Sequence, residues 1–243
     1  MFFYSVNSFY VGGADRQVLK KATITSDQMY KIEENGHSVL GMSRYLMMEN
    51  AGHGAADFIA SKFKKLKNRQ VVAVCGTGNN GGDGFVTSRH LAGYGAKITV
   101  ILLGSPSDLR SEEARLNWRI IEKMDSIEII FGRELSDEVK KRIKKADIIL
   151  DGIFGTGIKG KIREPHASAI DAINDSRAYV LAIDVPSGFD PNTGKTHGDK
   201  CIKADATITF HRLKVGLANG QKYTGPVRVE WIGIPPEAEK GIV

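Results

Sequence analysis

From residue 70 onward, short apolar segments rich in β-branched residues alternate with polar segments of helical character. Strands are predicted at 70–76, 97–104, 126–131, 147–153, 179–185, 205–210 and 227–234. Most are apolar at nearly every position, which is typical of strands that are buried on both faces. Because strands that alternate with helices form βαβ units, the sequence predicts an α/β fold with a mostly parallel central sheet.

Helices are predicted between these strands and ahead of the first one. Their approximate ranges are 26–36, 43–64, 83–94, 108–124, 134–145 and 165–176. The candidate N-caps are Ser26, Ser43, and either Ser107 or Asp108, and Gly36 is a candidate C-terminal stop. The chain is therefore divided into an N-terminal arm, 1–25, and a single domain, 26–243.

The charge balance is moderately basic. The 243 residues include 34 Lys and Arg against 28 Asp and Glu, a net charge of +6, which is compatible with an anionic ligand or with nucleic acid. Much of this charge lies in two runs, 62–69 and 139–145, where predicted helices end. Because cations stabilise helix C-termini, the runs favour a structural role, and nucleic acid is not the favoured partner.

The cysteines and the apolar runs indicate the type of compartment. Cys75 and Cys201 are far apart and show no zinc or redox spacing, so we expect reduced thiols and a cytoplasmic protein. The opening segment lacks the basic start and long apolar core of a signal peptide. No apolar run approaches the ~20 residues that a membrane span needs, so no membrane association is expected.

A glycine-rich segment, GTGNNGGDG (76–84), follows the first sheet strand and contains a GxGxxG spacing. Such a loop before a helix that starts near Asp83 suits a phosphate, although a tight strand-to-helix turn explains a lone GxGxxG as well. A nicotinamide dehydrogenase also needs an acid about 20 residues on, at the end of the next strand. That strand ends in LLGSPS, and the first acid is Asp108, at a predicted helix cap. An ordinary dinucleotide oxidoreductase is therefore disfavoured.

Two further strand ends carry unusual residues. DGIFGTGIKGK (151–161) is a second glycine-rich loop, with Lys159 and Lys161 available to a phosphate, although chain reversal alone also explains it. In AIDVPSG, Asp184 ends a buried strand, where it is either the cap of a turn or an acid or base with a tuned pKa.

Three polar residues follow three different central strands: Asn80, Asp151 and Ser187. Carboxylate, amide and hydroxyl oxygens suit a hard cation better than zinc or copper, but the spacing alone leaves this interpretation open. Sequence motifs of serine hydrolases, P-loop NTPases and zinc proteases do not occur.

Taken together, these motifs resemble the YjeF N-terminal domain family, the NAD(P)HX epimerases. The matching segments are MENAG (48–52), GTGNNGGDGFVTSRHLAGYG (76–95), DIILDGIFGTGIKG (147–160), AIDVPSGFDPNTG (182–194) and TFHRLKVGL (209–217). The resemblance extends from about residue 26 to residue 235. It departs from the family in the N-terminal arm and around Lys214, where family members often have small residues and proline.

The resemblance implies a Rossmann-like three-layer α/β/α sandwich and epimerisation of the R and S forms of hydrated NADH and NADPH, a repair of nicotinamide nucleotides. It implies a potassium ion held by Asn80, Asp151 and Ser187, a homodimer, and a separate dehydratase that consumes the product. The residues that it assigns to the substrate are Asn79, Asn80, Gly81, Gly82, Asp83, Gly155, Thr156, Gly157, Ile158, Lys159, Gly160, Lys161 and Asp184.

The expected chemistry needs no redox cofactor, because the ring nitrogen can help expel the hydroxyl as water before water returns on the other face. Such a step needs a general acid and a base, and Asp184 is the predicted catalytic residue for both. The alternative is a non-catalytic nucleotide- or RNA-binding dimerisation module of the same fold, as in one mRNA-decapping relative. Asp151, Asp184 and Ser187 together favour the enzyme, because a scaffold need not keep both a cation site and a carboxyl.

Overall fold

A seven-stranded parallel sheet forms the centre of the computed structural model, which describes residues 23–158 and 160–243. The strands are β1 (Thr23–Ile24), β2 (Gln70–Cys75), β3 (Lys97–Leu103), β4 (Ile127–Gly132), β5 (Ile148–Gly152), β6 (Tyr179–Ile183), β7 (Ala206–Phe210), β8 (Leu213–Lys214) and β9 (Val227–Glu230). The large sheet has the order β4-β3-β2-β5-β6-β7-β9, and all its pairings are parallel. The predicted parallel sheet is confirmed, with the last strand shorter than expected.

All six predicted helices are present, although their ends differ, and the described residues contain one further short helix that was not predicted. They are α1 (Ser26–Ser38), α2 (Arg44–Lys62), α3 (Asn79–Gly93), α4 (Glu112–Ile121), α5 (Asp137–Lys145), α6 (His166–Asn174) and the short α7 (Gln221–Thr224). Ser43 caps α2 as predicted. The cap of α1 is Thr25 rather than Ser26, because Thr25 and Gln28 form a capping box, and the helix continues past Gly36.

The start of α4 also differs from the prediction. Ser111, rather than Ser107 or Asp108, is its N-cap. Residues 106–108 instead form a separate 3₁₀ turn, in which Ser105 and Asp108 form their own capping box.

Two hydrophobic cores lie on opposite faces of the sheet. One core joins alternate strand residues such as Val71 and Ala73 to α1, α2, α3 and α4, with Phe85 and Trp118 among its members. The other joins the intervening residues, such as Val72, to α5 and α6. Because successive strand residues point to opposite faces, an almost wholly apolar strand fills both cores, and the three-layer arrangement is confirmed.

The helix surfaces agree with the structural interpretation of the basic runs. Lys62 lies in the last turn of α2, and Arg142, Lys144 and Lys145 lie in the last turn of α5. Their charges there oppose the negative end of each helix dipole. Within the described ranges, no helix is both long and apolar enough to cross a membrane.

A small two-stranded sheet fixes the beginning of the described chain. Thr23 pairs with Leu213 and Ile24 with Lys214, both in parallel register. The last residues of the predicted arm, 23–25, therefore pack with the domain, whereas residues 1–22 and Lys159 lie outside the described residues. This pairing holds the start of α1 beside β8.

Candidate functional site

The strand order reverses between β2 and β5, which creates a crevice at the carboxyl ends of these strands. The chain moves from β2 outward to β3 and β4, then returns to β5 on the other side of β2. In open α/β sheets, ligands bind at such a switch point. The loops after β2, β5 and β6, where the candidate residues lie, all meet at this edge.

Helix α3 begins earlier than the sequence predicts. Gly78 is its N-cap, so Asn79, Asn80, Gly81 and Gly82 form the first turn rather than a loop that ends near Asp83. The N–H groups of a first turn have no intrahelical acceptor, so they point at whatever lies beyond the helix end. The helix N-terminus that was predicted to suit a phosphate is therefore formed by these four residues.

The early start of α3 depends on close backbone contacts. A β-carbon on Gly81 would lie 2.0 Å from the Gly76 carbonyl oxygen, and one on Gly76 would lie 2.1 Å from the carbonyl oxygen of Ile153. The helix therefore presses directly against the ends of β2 and β5. The GxGxxG glycines at 76 and 81 have a packing role that does not depend on a bound ligand.

These contacts give a matched pair of substitutions. Gly76→Ala is expected to destabilise the fold by about 3 kcal/mol, because the new methyl group meets an immobile carbonyl. Gly78→Ala is the control, since nothing lies within 4 Å of its β-carbon position. Urea unfolding at neutral pH measures both, and equal stability of the two variants would contradict the packing role.

Asn80 is buried in the crevice without a hydrogen-bond partner. Asn80 is 6% exposed, and neither its amide nitrogen nor its amide oxygen forms a hydrogen bond with the described residues. A β-carbon on Gly155 would lie 3.4 Å from the Asn80 Cβ and 3.8 Å from Asp184 Oδ2, so Gly155 lies between these two side chains. Since buried amides in proteins are nearly always hydrogen-bonded, the Asn80 amide points to a ligand, an ion or water at this position.

Asp151 and Ser187 lie together, completely buried, and connect the ends of β5 and β6. The Ser187 hydroxyl donates to Asp151 Oδ1 at 2.5 Å and its backbone N–H donates to Oδ2 at 2.7 Å. The backbone N–H of Phe154 donates to Ser187 Oγ at 2.9 Å. Burial raises the pKa of Asp151 to about 6, and the hydrogen bonds from Ser187 oppose this shift.

This donor set fits a hard monovalent cation. It offers an unpartnered amide oxygen on Asn80, a buried carboxylate on Asp151 and a hydroxyl on Ser187. The described residues contain no cluster of three or more His, Cys, Asp or Glu side chains suited to a metal ion. Oxygen donors with a single carboxylate favour a weakly charged hard ion over a transition metal.

Asp184 has an unusual backbone conformation at the edge of the crevice. Its φ angle is +65°, and its backbone N–H donates to the carbonyl of Ile208 at 2.7 Å. The left-handed region is uncommon for residues other than glycine and is often found at functional sites. The carboxylate oxygen Oδ1 accepts from Lys214 Nζ at 2.8 Å and from the Thr209 hydroxyl at 3.1 Å.

Lys214 is the cation that holds Asp184. Only 1% of its side chain is exposed, and its ammonium also donates to Thr209 Oγ1 at 3.0 Å and to the Phe210 carbonyl at 2.9 Å. All three ammonium protons therefore have acceptors. The Asp184 side chain is 15% exposed, so the pair presents a carboxylate to the crevice and keeps the ammonium inside the protein.

Sequence reasoning missed Glu33 as a member of this site. Burial raises the pKa of Glu33 to about 7, although the nearby charge of Lys214 lowers it. Burial, with the charges of Asp184 and Glu33, also raises the pKa of Asp83 well above its usual range. The signal in the sequence was a carboxylate on the apolar face of a helix, because Met29, Ile32 and Gly36 are the buried residues of α1.

The second glycine-rich loop reaches the site mainly through Gly155. Thr156 and Ile158 are partly buried, Gly157, Gly160 and Lys161 are exposed, and Lys159 lies outside the described residues. Gly160 has a φ of +77°, which turns the chain. The structure thus places Gly155 beside Asn80 and Asp184, and places Lys161 at the surface.

Asp108, the first acid after β3, has a local structural role. Its carboxylate accepts from the Ser105 backbone N–H at 3.0 Å and from Arg133 at 3.0 Å. These two donors lower the pKa of Asp108. Its cap role agrees with the prediction that this strand end lacks the ribose-binding acid of a dehydrogenase.

Comparisons with known proteins identify the family. The family described as YjeF-related protein N-terminus matches residues 44–216. The NAD(P)H-hydrate epimerase of Nitrosopumilus maritimus is 48% identical over 220 residues, which cover 90% of this chain and 99% of that protein. The protein of the same name from Cenarchaeum symbiosum is 50% identical over 220 residues, which again cover 90% of this chain and 99% of that protein.

Two further comparisons concern a longer relative and a solved structure. The bifunctional NAD(P)H-hydrate repair enzyme Nnr of Pyrobaculum aerophilum is 44% identical over 222 residues, 89% of this chain and 43% of that protein. The crystal structure of yeast ynu0 covers 85% of this chain and 86% of its own with a TM-score of 0.72, and at 23% identity it shows the same fold. With the family match over most of the domain, this chain belongs to the YjeF-related N-terminal family.

Proposed function

We propose that this protein is an NAD(P)H-hydrate epimerase that interconverts the R and S forms of hydrated NADH and NADPH. The observation that carries the proposal is its 48–50% identity to two proteins of that name over 99% of their length. The crevice adds a carboxylate, Asp184, that is held by a buried lysine and partly exposed to a ligand. The first turn of α3 is suited to the substrate's phosphates.

The reaction exchanges a hydroxyl on a ring carbon that is bonded to the ring nitrogen. Protonation of the hydroxyl lets water leave as the nitrogen lone pair forms a C=N bond, and water then adds to the opposite face. Asp184 acts as the acid or base of this exchange, and general acid–base catalysis of this kind typically contributes 10²–10⁴-fold. Lys214 donates to Oδ1 and so fixes the orientation of the carboxyl group.

We also propose that Asn80, Asp151 and Ser187 hold a potassium ion. Support comes from the unpartnered Asn80 amide and the fully buried Asp151 carboxylate. When bound, the ion would supply a positive charge that offsets the buried Asp151 carboxylate, and the three residues that would hold it follow β2, β5 and β6. Its role is structural, and the proton transfers belong to the protein's carboxyl groups.

A potassium ion bound in this way stabilises the folded state. We expect a higher unfolding temperature in potassium chloride than in choline chloride at equal ionic strength, since a ligand at 100 times its Kd adds about 2.7 kcal/mol. Asn80→Ala is expected to remove the difference, whereas the exposed neighbour variant Asn79→Ala keeps it. Identical unfolding curves of the unaltered protein in the two salts would contradict the proposal.

The proposal extends to the protein's partners. The S form is expected to pass to a dehydratase, and the Nnr relative contains a further part, since this chain covers 43% of it.

A homodimer is also proposed. Apolar side chains exposed at the corner between α1 and α2 offer a surface for it: Tyr30, Val39, Leu40, Tyr45 and Leu46. Both buried cysteines are free, which fits a reducing cytoplasm.

The direct test follows the R and S forms of hydrated NADH by chromatography after the purified protein is added. Starting from one separated epimer, we expect fast relaxation to the equilibrium mixture, with the rate in the absence of protein subtracted. Relaxation at the uncatalysed rate, together with retained dinucleotide binding, would support a non-catalytic binding module instead.

A further inference from the structure

Thr209 connects the two charged groups of the ion pair in the crevice. Its hydroxyl oxygen accepts from Lys214 Nζ at 3.0 Å and lies 3.1 Å from Asp184 Oδ1. Because an ammonium group can only donate, the single proton of this hydroxyl is left for the carboxylate. Together with the bond of 2.8 Å from Lys214, the Thr209 hydroxyl therefore gives Oδ1 of Asp184 a second donor.

The register of the sheet places Thr209 beside Asp184. Strands β6 and β7 are parallel with Ile183 opposite Ile208, and Asp184 and Thr209 are the residues that follow these two. The backbone N–H of Asp184 donates to the carbonyl of Ile208 at 2.7 Å. Thr209 is completely buried, and both hydrogen bonds of its hydroxyl within the described residues are to the ion pair. The hydroxyl is therefore withheld from water and committed to these two groups.

The other carboxylate oxygen of Asp184, Oδ2, accepts no hydrogen bond from the residues that the structure describes. A β-carbon on Gly155 would lie 3.8 Å from Oδ2 and 3.4 Å from the Asn80 Cβ, so Oδ2 lies on the side of the second glycine-rich loop. Each carboxylate oxygen has two lone pairs, and those of Oδ1 are occupied by Lys214 and Thr209. A proton on this carboxyl group therefore resides on Oδ2.

We propose that Thr209 is a positioning residue of the epimerisation, which together with Lys214 holds Oδ1 so that Oδ2 is the oxygen that exchanges a proton with the substrate. This inference rests on the proposed function. A single donor would leave the Asp184 carboxyl group able to turn about that one hydrogen bond, and the second donor removes this freedom. Because proton transfer requires the atom that carries the proton to lie within hydrogen-bond reach of the reacting group, the fixed orientation contributes to the rate.

The proton exchange at Oδ2 is balanced over one turnover. The substrate hydroxyl takes a proton from Oδ2 as its C–O bond breaks, and the ring nitrogen lone pair forms the C=N bond. When water adds to the other face, the C=N electron pair returns to nitrogen, and the added water gives one proton back to Oδ2. Throughout the cycle Oδ1 only accepts hydrogen bonds, so Lys214 and Thr209 keep their protons.

Thr209→Val tests this role, because valine has nearly the shape of threonine but lacks the hydroxyl. We expect kcat for epimerisation of hydrated NADH to fall about 10-fold while KM changes little. The expected loss is smaller than the roughly 100-fold that a 1 Å misplacement can cost, since Lys214 still holds Oδ1. Thr209→Ser keeps the hydroxyl and should recover most of the rate.

Thr207→Val is the matched control. Thr207 lies two residues earlier on the same face of β7, is also completely buried, and donates its hydroxyl proton to the Thr224 carbonyl at 2.7 Å. The substitution makes the same chemical change and removes a buried hydrogen bond, so it should also lower the urea midpoint. Because Thr207 does not contact the ion pair, its kcat should stay that of the unaltered protein.

A second measurement shows whether Thr209 acts through Asp184. In the Asp184→Asn background, Thr209→Val should lower kcat no further, because no carboxyl group remains for the hydroxyl to orient. The role of Thr209 is overturned by an unchanged kcat in Thr209→Val, by an equal fall in Thr207→Val, or by a full further fall in the Asp184→Asn background.

Failure of the proposed function gives a different result. An unaltered protein that does not accelerate epimerisation overturns the proposed function, and the role of Thr209 with it. An active unaltered protein whose Thr209→Val variant is equally active overturns the role of Thr209 alone.

Discussion

Asp184→Asn is expected to reduce the rate of epimerisation by about a thousandfold, within the range that general acid–base catalysis supplies. The amide keeps a carbonyl oxygen to accept from Lys214 and Thr209, so the side chain can remain in place. Substrate affinity should change much less than kcat. Chromatography of the R and S epimers at several substrate concentrations separates the two effects.

The fold should tolerate this substitution with a loss of about 1–2 kcal/mol, because the amide oxygen still accepts from Lys214 and Thr209 although the ion pair is lost. Asp199→Asn is a suitable control, since it makes the same chemical change at an exposed position. An Asp184→Asn protein that epimerises at the unaltered rate would remove Asp184 from the mechanism.

The parallel sheet could be predicted from the apolar pattern of its strands. The clustering of Asn80, Asp151 and Ser187 could be predicted because each follows a parallel strand. Strands that are apolar on both faces fit only an internal parallel sheet. The carboxyl ends of parallel strands share one edge, which brings Asp151 and Ser187 into contact and Asn80 beside the same loop. The sequence pattern could not predict individual contacts, such as the hydrogen bond of 2.5 Å from the Ser187 hydroxyl to Asp151 Oδ1.

The start of α3 was mispredicted because its first residues are poor helix formers. Asn and Gly have low helix propensity, so GNNGG resembles a loop. The packing of Gly81 against the Gly76 carbonyl overrides this preference, and a tertiary contact of that kind is absent from local sequence statistics. Glycine is therefore required at these positions because the helix lies so close to the strand ends. Helix propensity alone would instead predict a flexible loop there.

Lys214 and Glu33 were the least predictable parts of the site because their surroundings are non-local. The sequence analysis noted only that the residues around Lys214 depart from the family pattern, yet this lysine is almost fully buried against Asp184, 30 residues earlier in the chain. Glu33 lies on α1, and the pairing of Ile24 with Lys214 holds the start of that helix beside β8. A lysine or glutamate is mostly exposed in proteins, so sequence alone favours a surface position for both.

Lys214→Met is expected to destabilise the protein by about 3 kcal/mol or more, since breaking a buried ion pair leaves its partner uncompensated. Methionine fills much of the space of the lysine stem but leaves Asp184, Thr209 and the Phe210 carbonyl without their donor. Urea unfolding measures the loss of stability.

A double-mutant cycle tests whether the instability of Lys214→Met comes from the unpaired carboxylate. Adding Asp184→Asn should recover part of the lost stability, because the neutral amide does not need a cation. Lys200→Met is the control, since Lys200 forms an ion pair with Asp171 at the surface, where solvent replaces the partner and stability should change little. If Lys214→Met and Lys200→Met unfold alike, or if the double variant is the sum of its single variants, Lys214 does not act by neutralising Asp184.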